Sequence, residues 1–261
     1  MSPDDIETKT CHDQQSQMSH EIQYMSPDDI EAKTCHEQPI TYHKTCHDPP
    51  MNFHHPPPPP PIIATSDVIA NPGPLGLCGL ALTCFVLSLH NAGAGVSSTG
   101  PNNVVTGLAL FYGGMIQVLC GMWEFKTGNT FGATAFASYG AYWLSYSVIS
   151  MPWSGIPGAY SAADPSQLAG SMTIYMIAWA IFSGFMLIAS HRSSIGMVLL
   201  FFCLFLLYVL TAAAEYNSSV SIRTASGCVG VVTSFVAWYN AFSGLLTKQS
   251  SFFQLPIGSL S

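Results

Sequence analysis

The sequence predicts an all-α integral membrane protein: a disordered N-terminal tail, residues 1–61, followed by a membrane domain, residues 62–258, of six transmembrane helices. Three observations predict it. Charge is segregated. The first 61 residues hold ten Asp/Glu, three Lys, no Arg and seven of the nine His, whereas the rest holds four acidic residues (Asp67, Glu124, Asp164, Glu215) and four basic ones (Lys126, Arg192, Arg223, Lys248). A soluble domain carries about 25% charged residues, so this region has too few for a water-facing surface, and a lipid-facing one is the simple alternative. The region also divides into apolar stretches of about the 20 residues that a spanning helix needs. Breaks rich in Gly, Pro, Ser and Asn separate the stretches.

The tail repeats itself. MSPDDIETKTCH at 1–12 returns as MSPDDIEAKTCH at 25–36, with a shorter KTCHD at 44–48. Solenoid repeats bury an apolar face on one another; these units have almost nothing apolar to bury and read as disordered. Residues 56–61 are a polyproline run, a stiff spacer before the membrane. The acidic opening with no apolar stretch behind it predicts no cleavable signal peptide, so the first helix is expected to direct insertion. The Cys-His doublets at Cys11-His12, Cys35-His36 and Cys46-His47 lack the tight spacing of structural zinc sites, and duplication of the repeat explains them without metal. Ser2-Pro3 and Ser26-Pro27 are weakly specific phosphorylation candidates.

The spans are expected at 74–94, 104–122, 130–150, 172–190, 195–214 and 226–246. The breaks at 95–103 and 151–170 are read as turns, the second because it holds three prolines. Stripes of small residues, Ala133/Ala137/Ala141, Gly114/Gly121 and Ser226/Gly230, are expected to let helices approach closely, since apolar burial gives no net drive in lipid. An even number of spans puts both termini on one side. With that side cytoplasmic, Lys126, Arg192 and Lys248 lie inside and Arg223 outside, as the positive-inside rule favours. Trp123, Trp143, Trp153 and Tyr146 near predicted helix ends fit an interfacial aromatic belt.

Several function classes fall away. No basic patch exists to neutralise phosphates, which excludes nucleic acid as a partner. Cys78, Cys84, Cys120, Cys203 and Cys228 sit in apolar runs, where Cys is a small hydrophobe and not part of a disulfide framework. No carboxylate pair, Ser/His/Asp set or phosphate-binding loop lies in the membrane segments, so an enzyme, a metal centre or a cofactor has no support. Asn217-Ser218-Ser219 is a glycosylation sequon in a predicted external loop.

The informative stretch is Asn71-Pro72-Gly73-Pro74-Leu75-Gly76-Leu77. Pro72 and Pro74 cannot sit in a helix interior but suit a first turn, where amides are unpaired anyway, and Asn71 is a natural N-cap. Such a start presents free N–H groups and a positive dipole end, which in transporters meets anionic substrate groups. An ordinary interfacial helix start would have the same pattern. Among the polar residues inside apolar segments (Thr83, Ser88, His90, Gln117, Thr211, Thr233), Gln117 is the best candidate to line a path. His90 and Asn91 read as an interfacial cap.

With NPGPLGL at 71–77 go LHNAG at 89–93, FYGG at 111–114 followed by Gln117, Gly121 and Glu124, GNTFG at 128–132, a TAF-SYG run ending at Gly140, and LPIG at 255–258. On these motifs, over about residues 70–258, the chain resembles the acetate uptake transporter family. That family includes bacterial succinate–acetate permeases and fungal proteins described as acetate transporters, ammonia exporters or glyoxylate-pathway regulators. The resemblance implies a six-helix protomer with a central substrate path, assembled as a homohexamer. It also implies a constriction of three bulky side chains on the first, third and fifth spans, here Leu80, Tyr139 and Leu204. Leu80 stands where many relatives have Phe.

The expected function is therefore a plasma-membrane transporter or channel for acetate and other small monocarboxylates, with succinate a further candidate and both termini cytoplasmic. Asn71 and Gln117 are expected to contact the carboxylate. At neutral pH acetate, with a pKa of about 4–5, is an anion, and moving it into a negative interior costs about 2.3 kcal/mol per 100 mV. A co-moving proton removes that cost, so proton linkage is expected, although no carboxylate within the membrane stands out in the sequence to favour symport over a channel. An ammonia or ammonium exporter, and a membrane sensor of acetic acid that signals through its tail, are the alternative readings.

Overall fold

A computed structural model describes residues 69–164 and 166–260. The tail readings, including the repeats, the doublets and the polyproline spacer, lie outside the described residues. The helices are α1 (Gly73–Ala92), α2 (Val104–Lys126), α3 (Thr130–Ser150), the short α4 (Ile156–Ala163), α5 (Ser166–Ala189), α6 (Ile195–Tyr216) and α7 (Val220–Leu245). Five of them, α1, α2, α5, α6 and α7, are long and apolar enough to cross a membrane. Helix α3 is as long, at 21 residues, but its Gly, Ser, Tyr and Trp content makes it less apolar.

Where boundaries depart from expectation, local chemistry explains the shift. Helix α1 starts one residue early. Pro72 is its N-cap position and Asn71 stands one residue outside, its Oδ1 accepting from Gly73 N at 3.0 Å. The proline-rich break contains α4, because Pro157 falls in a first turn, where a proline removes no helical bond. Helix α7 starts six residues early because Ser219 caps it, accepting from Ile222 N at 3.4 Å. Helix α2 holds a π-helical segment, Phe111–Ile116, which a 3.6-residue pattern does not reveal.

The long helices form a closed ring. Helix α1 packs chiefly on α7, α7 on α6, and α6 on α5; α1 also packs on the π segment of α2, and α2 on α3. Side chains close the seam from α3 to α5: Tyr139 to Ser183 at 2.8 Å and Ser145 to Tyr175 at 2.6 Å, between hydroxyls. Glycines set the backbone approaches. A Cβ at Gly79 would lie 2.7 Å from the Tyr112 carbonyl, one at Gly121 2.7 Å from Ala137 N, and one at Gly227 or Gly230 would strike Ser88. The predicted stripes on α2 and α7 thus sit at tight contacts. On α3, Ala133 and Ala137 meet Gly121 as the stripe predicts, but the next contact runs through Gly140, where a Cβ would lie 2.7 Å from Val118 N, and not through Ala141, which is exposed. The aromatic belt divides as well. Trp123 and Trp153 are exposed at 56% and 83%, but Trp143 is buried and Tyr146 packs against it.

The C-terminal segment returns to the bundle. Ile195 N donates to Gly258 O at 2.8 Å, Gly196 N to Ile257 O at 3.1 Å and Tyr239 Oη to Pro256 O at 2.7 Å. Gly258 takes a positive φ of 65° to make this turn, a conformation that suits glycine.

Valine at Gly121 or Gly140 is expected to destabilise the bundle by about 1–3 kcal/mol or more through overpacking, whereas Ala141→Leu changes little. Thermal aggregation in detergent, comparing the three variants, checks the difference.

Candidate functional site

Two cavities lie end to end inside the ring. The larger, about 470 Å³, opens among the start of α1, the α2–α3 connection and the α5–α6 connection, and is lined by Asn71, Gln117, Glu124, Asn129, Tyr139 and Arg192 among others. The smaller, about 110 Å³, reaches the opposite helix ends, with Asn91, Asn102, Tyr146, Glu215 and Arg223. Leu80 and Leu204 line both. The three residues assigned to a constriction are thus brought together: Leu80 and Leu204 stand where the cavities adjoin, and Tyr139 borders the larger one.

Packing fixes the Tyr139 ring. Its hydroxyl bonds Ser183 on α5, Phe182 meets it edge-on at 5.5 Å, and Phe201 and Tyr208 of α6 stack at 6.2 and 6.4 Å. Tyr142, Tyr146 and Tyr208 continue the aromatic lining along the smaller cavity, and Tyr175 and Trp179 pack behind them, the rings pairing at 5.1–6.5 Å. Helix α3 is therefore less apolar than the other long helices because one of its faces serves the cavities.

Gln117 follows the π segment directly. It is fully buried at 0% exposure, and neither its Oε1 nor its Nε2 has a hydrogen-bond partner in the protein. An unpaired buried amide costs about 1–3 kcal/mol, so its position on a cavity wall is a chemical feature of the site. Trp143 Nε1, on the smaller cavity, is likewise buried and unpaired.

The start of α1 differs from expectation. Its amides are occupied: Gly73 N by Asn71 Oδ1, Leu75 N and Gly76 N by Pro72 O at 3.1 and 3.3 Å. Asn71 spends its oxygen on this cap and lines the larger cavity, and Pro74 lines an adjoining groove with Gly244. Pro72 serves through its carbonyl.

Sequence reasoning missed the charged residues of the site. Glu124, inside α2 and 3% exposed, is a carboxylate within a span, contrary to the expectation that none stood out. Its Oε2 accepts from Asn129 Nδ2 at 2.7 Å, while Asn129 Oδ1 caps α3 by accepting from Gly132 N at 3.0 Å. One signal was available: Glu124 follows Gln117 by seven residues, two helical turns, and so shares its face. Arg192, read only as a topology marker, borders the same cavity. Glu215 and Arg223 pair at 3.2 Å at the other end.

Comparison with known proteins agrees with this architecture. A solved structure of the bacterial acetate channel SatP superposes with a TM-score of 0.63 at 32% identity, covering 73% of this chain and 99% of that one. The succinate-acetate/proton symporter SatP of Escherichia coli is 34% identical over 191 residues, 73% of this chain and 96% of that protein. Among fungal relatives, ammonia transport outward protein 2 of Saccharomyces cerevisiae is 44% identical over 70% of this chain, and acetate permease A of Emericella nidulans 40% identical over 72%. The chain spans less than two thirds of the length of these two fungal relatives, 64% and 65%. The family model described as GPR1/FUN34/yaaH matches residues 56–261. With the whole helical ring, Gly73–Leu245, inside that match, the chain belongs to the GPR1/FUN34/yaaH family.

Proposed function

We propose that this protein carries acetate and other small monocarboxylates across the plasma membrane, as a proton-linked transporter or channel. The observation that carries the reading is the pair of cavities, each with polar residues at its mouth, adjoining at Leu80 and Leu204 beside Tyr139. A short carboxylic acid has an apolar stub and a hydrogen-bonding head. The leucines and the aromatic wall suit the stub; the Gln117 amide and the Asn71 Nδ2 suit the head. Pro72 and Pro74 set the entry of α1 that holds Asn71 in place. An apolar junction resists a hydrated anion and passes a neutral acid more easily, which favours movement of anion and proton together.

All six long helices span the membrane in this reading, α3 included, because its polar and aromatic residues face the path. With Lys126, Arg192 and Lys248 toward the cytoplasm, the larger cavity is the inner mouth, the smaller the outer one, and both termini are cytoplasmic. The names of the bacterial relatives support the substrate class. The protomer is complete as a path, and a homohexamer of such protomers would bury part of their exposed apolar surface. Residues 62–258 are the transport domain in this reading and residues 1–61 a cytoplasmic tail.

The yeast relative's name gives ammonia export as the competing substrate. Purified protein in liposomes, with labelled acetate under imposed pH and voltage gradients and ammonium release followed in parallel, separates the two. Acetate uptake that rises with an inward proton gradient supports the proposal, and ammonium flux without acetate flux rejects it. Asn71→Ala and Tyr139→Ala are expected to lower acetate uptake severalfold at equal protein density.

Gln117→Met makes a sharper prediction. Removing two unpaired buried polar atoms is expected to raise stability by about 1–3 kcal/mol, while acetate uptake falls about tenfold, the equivalent of one lost hydrogen bond to a charged head. Uptake in liposomes and thermal unfolding in detergent read the two effects, which move in opposite directions.

A further inference from the structure

Of the eight charged side chains beyond residue 61, four line the two cavities, one carboxylate and one guanidinium in each. At the smaller cavity the two are joined, Arg223 to Glu215. At the larger they are not: among the described residues Glu124 and Arg192 form no ion pair. A carboxylate that is 3% exposed and lacks an adjacent cation is costly to keep ionised. A neutral side chain would serve packing alone.

The surroundings of Glu124 are specific. Oε2 is held by Asn129. Oε1 faces the start of α1, where a Cβ on Gly73 would lie 3.3 Å from it and 3.1 Å from Asn71 Oδ1. The groups facing the carboxyl are Asn71 and Gly73 of α1, Asn129 and Gly132 at the start of α3, Cys120 one turn back on α2, and Arg192 across the cavity from the α5–α6 connection. Lys126 is exposed on the outer surface. A substrate carboxylate that reaches Asn71 therefore arrives beside a second carboxylate, in a cavity whose walls include Leu77, Phe131 and Phe136. Two carboxylates in one poorly hydrated site do not both stay ionised; the pair retains a proton.

We propose that Glu124 is the residue whose protonation accompanies carboxylate binding, so that each anion entering the larger cavity takes up one proton from water. This rests on the carboxylate-transport reading and names the coupling residue within it. The proton passes from water at the mouth to Glu124 Oε1 and is shared with the substrate oxygen. When the anion leaves, the proton returns to water with it, so charge balances at every step. In the empty site the Asn129 hydrogen bond and the water of the open cavity offset the cost of the charge, and a second carboxylate removes that balance, so the occupied site takes up the proton and affinity falls as pH rises between the pKa values of the free and the occupied site.

The test uses the purified full chain in detergent, titrated with sodium acetate from about pH 6 to 8, where free acetate is almost wholly anionic. Wild-type affinity is expected to weaken about tenfold per pH unit, with about one proton taken up per acetate bound, read by a pH indicator in weak buffer. Glu124→Gln keeps the acceptor for Asn129 and cannot titrate, so its affinity is expected to be independent of pH, with no proton uptake. Glu124→Asp is expected to keep the pH slope. A wild-type slope in Glu124→Gln, or acetate binding by wild type without proton uptake, overturns the proposal and leaves transport standing. Wild-type protein that binds no acetate overturns both. If Glu124→Gln fails to fold, the proton count of wild type and the slope of Glu124→Asp decide the outcome.

Discussion

The architecture depends on how closely α1 can approach its neighbours. In lipid no apolar burial drives helices together, so contact comes from fit. Helix α1 meets α7 where Gly227 and Gly230 accept Ser88 and the backbone near Ala92, and meets α2 where Gly79 admits the Tyr112 carbonyl. Gly244 of α7 receives Pro74 at the other end. With α1 pressed against both neighbours, the opposite side of the ring, between α3 and the α5–α6 pair, is joined through large side chains, not by close backbones. The two cavities lie between that looser side and α1, whose Leu80 lines both.

The same asymmetry explains what was legible in the sequence. Apolar length and turn residues located the long helices, because a membrane imposes a coarse, strong pattern. Small-residue stripes on α2 and α7 were readable for the same reason. The choice of Gly140 over Ala141 was not, since adjacent small residues differ only in direction around the helix. The π segment was invisible because one extra residue per turn leaves no composition signal, yet it precedes Gln117 and sets the direction of that side chain.

The site was legible in part. Gln117 stood out as an amide in an apolar run, and the resemblance brought Leu80, Tyr139 and Leu204, which meet around the junction of the cavities. Glu124 did not stand out, because a lone acid near the end of an apolar segment reads as the edge of the membrane. Only the return of the chain through Gly128, with φ 77°, and Asn129 closes over it and makes it a wall of the cavity. The sequence also suggested a cradle of free amides at the start of α1, but Asn71 and the Pro72 carbonyl occupy them.

The C-terminal strap extends that last point to a second helix. Its Gly258 and Ile257 carbonyls take the first two amides of α6, and Ser194 takes the next two through its hydroxyl at 3.2 Å and its carbonyl at 3.0 Å. The third helix start beside the wide mouth, that of α3, gives Gly132 N and Ala133 N to Asn129, so all three spend most of their first amides within the protein. An arriving anion meets chiefly side chains there. Such a mouth grips lightly, and a conduit gains from this: an ion held weakly leaves quickly, so throughput is favoured over retention.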